Sequence, residues 1–106
     1  MNSEDFRLAL AALDWIPAAP GARFKAVERN DKRIRLLEFT REFVEADWCR
    51  KGHIGVLLSG ELEIDFGGRI VRYAPGDGLF IPAGEAGKHK ARALSENALL
   101  FLVEDA

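Results

Sequence analysis

Between Gly60 and Gly84 the chain is punctuated so often that no long helix and no crossover unit fits inside it. Glu61-Leu62-Glu63-Ile64-Asp65-Phe66 alternates acidic and apolar side chains, the pattern of a strand with one face buried and one in water. Gly67-Gly68 follows, a pair that supplies the positive φ angles of a two-residue hairpin turn, and residues 69–73 return as the partner strand. Pro75-Gly76-Asp77-Gly78 is a second turn, Leu79-Phe80-Ile81 a short strand, and Pro82-Ala83-Gly84 a third turn. Strands this short with turns this tight pair antiparallel, because a parallel pair needs a connection of a dozen or more residues.

The same rhythm extends outward. Arg33-Ile34-Arg35-Leu36 alternates, residues 88–94 alternate again, and residues 98–103 form a nearly continuous apolar run, as expected of a strand covered on both faces. Eight or nine short strands predict an all-β fold, an antiparallel β-barrel or jelly roll over about residues 22–103, with Gly67-Gly68 as its tightest turn. Residues 1–16 contain no glycine, and Phe6, Leu10 and Leu13 recur at helical spacing. Asn2 or Ser3 can cap that segment, Glu4 and Asp5 suit its positive end, and Pro17 stops it. The expectation is one short N-terminal helix, about residues 3–13, packed by its apolar face on the barrel.

At 106 residues the chain is read as a single domain, 1–106. Its 15 Lys and Arg against 17 Asp and Glu leave no basic excess that points to nucleic acid. No apolar run approaches the roughly 20 residues of a membrane helix, and Glu4 and Asp5 stand where a secretion signal needs positive charge. One cysteine excludes a disulfide framework within the chain. The expectation is a cytoplasmic protein with no membrane and no nucleic-acid partner.

Two stretches resemble the cupin superfamily. Gly52-His53-Ile54-Gly55-Val56-Leu57-Leu58-Ser59-Gly60 resembles the end of the first cupin motif, where a strand runs into a turn glycine. Gly76-Asp77-Gly78-Leu79-Phe80-Ile81-Pro82-Ala83-Gly84 matches the opening of the second motif, G-x5-P-x-G, at each fixed position. Fifteen residues lie between Gly60 and Gly76, the spacing of small single-domain cupins, and the likeness spans about residues 35–103. It implies a small RmlC-like jelly roll. In the family a His-His-Glu set on the first motif and a histidine on the second hold a metal. Mapped onto this chain, the first three positions fall on Asp47, Cys49 and His53, and the fourth on Gly87, with His89 two residues later.

Asp, Cys and His are all metal-ligand types, and a mixed sulfur and nitrogen set favours zinc, with iron or nickel as further candidates. Alternation puts His53, Gly55 and Leu57 on one strand face, and His89, Ala91 and Ala93 on one face of a later strand with Lys88, Lys90 and Arg92 on the other. Asp47, Cys49, His53 and His89 are therefore the candidate metal ligands, and Cys49, His53, His89, Trp48 and Phe80 the candidate ligand-binding residues. The plainer readings stand beside these: Cys49 as a small buried hydrophobe, Asp47 as a turn cap, the two histidines bonded to backbone, and Trp48 and Phe80 as core aromatics. A Cys49 nucleophile served by His53 or His89 is a further arrangement.

Three functions follow as expectations: a small-molecule-binding cupin acting as sensor or carrier; a metal-dependent enzyme of dioxygenase, isomerase or hydrolase type; and an interaction module using only the barrel surface. The resemblance also implies a homodimer, and an open jelly roll has edge strands that need cover. Residues 23–28 are the candidate for strand exchange.

Overall fold

In the computed structural model, residues 5–106 are described. Nine strands carry the fold: β1 (Ile16–Ala19), β2 (Ala22–Arg29), β3 (Lys32–Thr40), β4 (His53–Ser59), β5 (Leu62–Asp65), β6 (Ile70–Tyr73), β7 (Gly78–Ile81), β8 (Lys90–Ala93) and β9 (Asn97–Asp105). They form a six-stranded sheet ordered β1-β2-β3-β9-β4-β7 and a three-stranded sheet ordered β6-β5-β8, with every named pairing antiparallel. The two sheets face each other as a jelly roll, as the turn spacing predicts.

The core lies between them. Leu37 and Phe39 on β3, Leu57 on β4, Leu62 and Ile64 on β5, Leu79 and Ile81 on β7, Ala91 and Ala93 on β8, and Ala98, Leu100 and Leu102 on β9 are all buried. These are alternate residues on each strand, so the period of two read from the sequence is the period of burial. Strand β9 alternates as well. Its even-numbered residues from Ala98 to Glu104 are buried and its odd-numbered apolar residues only half-buried, so the strand is less covered on its outer face than the continuous apolar run predicts.

Phe66 N–H donates to the Arg69 carbonyl and closes the Gly67-Gly68 turn, where both glycines have positive φ. That turn is matched by a second two-residue hairpin. Asn30 and Asp31, at φ 49° and 64°, join β2 to β3 in the left-handed conformation that these side chains tolerate better than most. This corrects one expectation: Gly67-Gly68 is not uniquely tight. Residues 23–28, the candidate for strand exchange, pair along their length with β3 of the same chain.

The N-terminal helix is shorter than predicted. Residues 3 and 4 of its range lie outside the described residues; in the remainder only Leu10–Ala12 turns, as a 3-10 helix that buries no residue. Phe6 sits at a φ of 48° and is largely exposed, so the expected apolar stripe does not form. Trp15 instead meets the Arg23 and Lys25 cations of β2, at 4.3 and 4.8 Å from its ring centre. Pro17, read as a helix stop, lies in edge strand β1, a position where its missing N–H is tolerated.

Candidate functional site

At one end of the barrel the inward side chains change character. The backbones of Cys49 and His89 pair in an isolated antiparallel bridge, each N–H donating to the other's carbonyl at 2.9 Å. Directly opposed residues put their side chains on the same face, which brings Cys49 and His89 together although forty positions separate them. Arg50 secures this segment: its carbonyl accepts from Gly84 N–H, and its guanidinium pairs with Glu85 at 2.8 Å.

His53 opens β4, whose pairing with β9 matches Ile54 to Val103. Its inward neighbour one step along is Glu104. The two side chains are hydrogen-bonded, His53 Nδ1 to Glu104 Oε2, and the remaining carboxylate capacity accepts two bonds from Arg35, Nε and NH2 each at 2.8 Å. Burial alone would raise the Glu104 pKa. The hydrogen bonds from His53 and Arg35, and the Arg35 charge, outweigh it and hold the carboxyl down at about 2. Glu104 is thus an anion fixed between two donors.

The second histidine is oriented by backbone. His89 Nδ1–H donates to the Gly87 carbonyl at 2.8 Å. With both Nδ1 atoms engaged, each ring turns its Nε2 lone pair to the interior. The histidine rings lie 5.0 Å apart at 75°. Cys49 Sγ is 3.8 Å from His53 Nε2, and the sulfur and one ring nitrogen from each histidine lie within 4.8 Å of one another. Both histidines are buried, at 8% and 4% exposure, and Cys49 is half-buried.

Donors on one zinc ion stand about 3.3–3.8 Å apart, given bonds of about 2.0 Å to nitrogen and 2.3 Å to sulfur at tetrahedral angles. For one sulfur and two nitrogens the spacings are about 3.3 and 3.5 Å, so the Cys49–His53 pair at 3.8 Å is close to that spacing and the whole set, within 4.8 Å, needs a contraction of up to about 1.5 Å. One thiolate and two imidazoles with locked tautomers fit a three-ligand divalent site with a fourth position open. Cys49, His53 and His89 would hold the ion; Glu104, Arg35 and the Gly87 carbonyl hold the ligands.

The chamber behind the cluster measures about 220 Å³. Its floor is apolar, with Leu37, Leu62, Leu79 and Leu100 among its walls, and Arg35, Glu45 and Lys51 supply its charges. An outer concavity lined by Lys51, His53, Ile81 and Phe80 meets it at the first three of these residues.

The other predicted site residues do not join the cluster. Asp47 is exposed and lies outside the group of converging donors. Trp48 points away and receives Lys88 and Lys90 over its ring, at 5.4 and 4.7 Å. Phe80 is 75% exposed at the outer concavity. The expected histidine position of the second motif, Gly87, has a plain steric explanation: a Cβ there would lie 2.1 Å from the Pro82 carbonyl oxygen. The chain approaches itself too closely for any side chain, and His89 enters the interior two residues later. Sequence reasoning missed Arg35, Glu45 and Glu104. A signal for Glu104 was present, since it continues the inward series Ala98, Leu100, Leu102 as a charge.

No family model matches the sequence, and no curated protein matches it. Solved structures do. A cupin-2 domain containing protein from Shewanella frigidimarina is 25% identical over 76% of each chain, with a TM-score of 0.62. KdgF from Halomonas sp. is 24% identical over 100% of this chain and 93% of its own, with a TM-score of 0.73. An RmlC-like cupin, also from Shewanella frigidimarina, is 12% identical over 90% of this chain and 85% of its own, at 0.71.

Proposed function

We propose that this small cupin domain binds a divalent metal ion, zinc foremost, through Cys49, His53 and His89, and uses it to bind a small molecule in the chamber behind. The observation that carries the reading is the convergence of three donor atoms within 4.8 Å, with both imidazoles held by Nδ1 hydrogen bonds. A bound ion of this kind supplies Lewis acidity to an oxygen of the ligand or to water. The chain's own residues supply the rest. Arg35 fixes Glu104, Glu104 fixes the His53 ring, the Gly87 carbonyl fixes His89, and the leucine walls give a ligand an apolar surface. This supports the sensor or carrier reading and the metal-dependent enzyme reading together up to the binding step.

The test is metal analysis of protein stripped with a chelator and reloaded. One equivalent of zinc or cobalt(II) per chain is expected, with a thiolate-to-cobalt charge-transfer band that disappears in Cys49→Ser. Folded protein that takes up no metal overturns the reading. In that event the 3.8 Å contact between Cys49 and His53, backed by Glu104, favours a thiol nucleophile with a histidine base. Its mark is fast alkylation of Cys49 by iodoacetamide that slows in Glu104→Gln.

We also propose a homodimer. The larger sheet ends in edge strands β1 and β7, and Ile54 and Phe80 stand exposed on its outer face. Light scattering at micromolar concentration should give twice the 11.8 kDa chain mass; a monomer mass refutes it. No helix among the described residues is long and apolar enough to cross a membrane.

A further inference from the structure

The charges around the chamber indicate what kind of molecule it takes, an inference that rests on the metal reading above. Arg35 and Glu104 neutralise each other through two hydrogen bonds. Glu45 lines the chamber and spends one carboxylate oxygen on Ala91 N–H at 2.8 Å. Lys51 also lines it, and has no hydrogen-bond or ion-pair partner among the described residues. In sign, Glu45 and Lys51 offset each other. A divalent ion on one thiolate and two neutral imidazoles keeps one positive charge. The loaded chamber therefore carries a net charge of plus one in a largely apolar surround, where an unpaired charge is costly.

Position adds to charge. Lys51 belongs to the lining of both the outer concavity and the inner chamber, so its charge stands at the boundary between them. Beyond it, the walls are Leu37, Leu62, Leu79 and Leu100. The volume of about 220 Å³ falls below the roughly 300 Å³ at which pockets begin to take drug-sized ligands.

We propose that the ligand is a small organic monocarboxylate with a compact apolar body. Its carboxylate restores neutrality at the metal end beside Lys51, and its hydrocarbon part lies on the leucine walls. A dicarboxylate overshoots the charge and has no partner for its second anion. An amine adds to the positive charge, and a neutral alcohol leaves it standing.

The experiment uses cobalt(II)-loaded protein and four probes of similar length: butyrate, succinate, butylamine and 1-butanol. Butyrate is expected to change the visible cobalt spectrum saturably, and the other three are not. Metal-free protein should give no calorimetric signal with butyrate. Lys51→Gln, at an exposed position, should keep one cobalt per chain and bind butyrate about fivefold more weakly, the upper range for an exposed ion pair. Stoichiometric cobalt with no response to butyrate, or equal responses to butyrate and butanol, overturns the ligand class and leaves the metal site intact. Failure to bind cobalt at all overturns the metal reading and this inference with it. Unchanged butyrate affinity in Lys51→Gln overturns the role given to Lys51.

Discussion

The two ends of the barrel interior are built from the same strands and obey opposite rules. At one end β4, β9 and β5 contribute Leu57, Ala98 and Leu62, all with no measurable exposure. At the other, β4 begins with His53, β9 approaches its end at Glu104, β3 presents Arg35, and the chain entering β8 presents His89. On each strand the step from apolar to polar takes only a few residues, and all four steps fall at the same end. The apolar end needs nothing beyond packing to explain it. The polar end costs desolvation, and a buried ionic network of this kind is weak evidence for stability. Its hydrogen bonds are nevertheless complete, with no buried side-chain polar atom lacking a partner among the described residues. What sets this end apart is the convergence of three donor atoms within 4.8 Å of one another.

Substituting one residue at each end should separate these roles. His53→Ala is expected to abolish metal binding altogether, measured by metal content after reloading. Leu57→Ala should do the reverse, keeping one metal per folded chain while lowering unfolding free energy by about 2–5 kcal/mol, as a cavity in a fully packed site does. Urea titration of the metal-free proteins reads the second effect. If Leu57→Ala loses metal in its folded state, or His53→Ala keeps it, the division between the two ends is wrong.

Glu104→Gln comes next in size. It keeps the shape beside His53 but removes the charge and turns one of the two acceptor oxygens shared by His53 and Arg35 into an N–H donor, which weakens the hold on the ring. Outer partners of metal-bound histidines are typically worth 10–100-fold in affinity, and a competition titration with a chromophoric chelator should find a loss in that range. The same carboxylate shapes the acid limb of stability. Its pKa falls from an ordinary 4.5 to about 2 on folding. A depressed carboxylate pKa contributes stability that is fully present above 4.5 and disappears as pH falls toward 2. Metal-free protein should therefore lose stability across that window, and Glu104→Gln should show a flatter acid limb. Parallel curves would mean that Glu104 is not held down by His53 and Arg35.

The fold was legible because its signals are local. Gly67-Gly68, Gly76 and the alternation of residues 61–66 specify turns and faces without reference to the rest of the chain. Cys49, His53 and His89 were legible through motif spacing and strand parity. What escaped depends on register between distant strands. Glu104 meets His53 because β4 and β9 pair as they do, and Arg35 reaches Glu104 because β3 flanks β9 on the other side. Nothing near Arg35 in sequence distinguishes it from Arg33. The helix is shorter than its period suggests for the opposite reason: a helical period is local, but a helix this short needs a surface to bury its stripe against, and among the described residues the chain turns only over Leu10–Ala12 and packs Trp15 on β2.

The smallest expected effect concerns Asp47, the residue that motif counting places nearest to a metal ligand and the fold does not. Counting assumes that Asp47 and Cys49 continue one strand with alternating faces. In the structure Cys49 forms an isolated backbone bridge with His89, and Asp47 lies before it, exposed. Its carboxylate is absent from the set of donors that converge. Asp47→Ala should therefore leave metal stoichiometry at one per chain and affinity within about twofold. Stability should change by no more than about 0.5 kcal/mol, as for an ordinary surface substitution. A tenfold loss of metal affinity would show that the segment closes over the ion and brings Asp47 into the open fourth position, making the polar end a four-ligand site instead of one left open for a bound molecule.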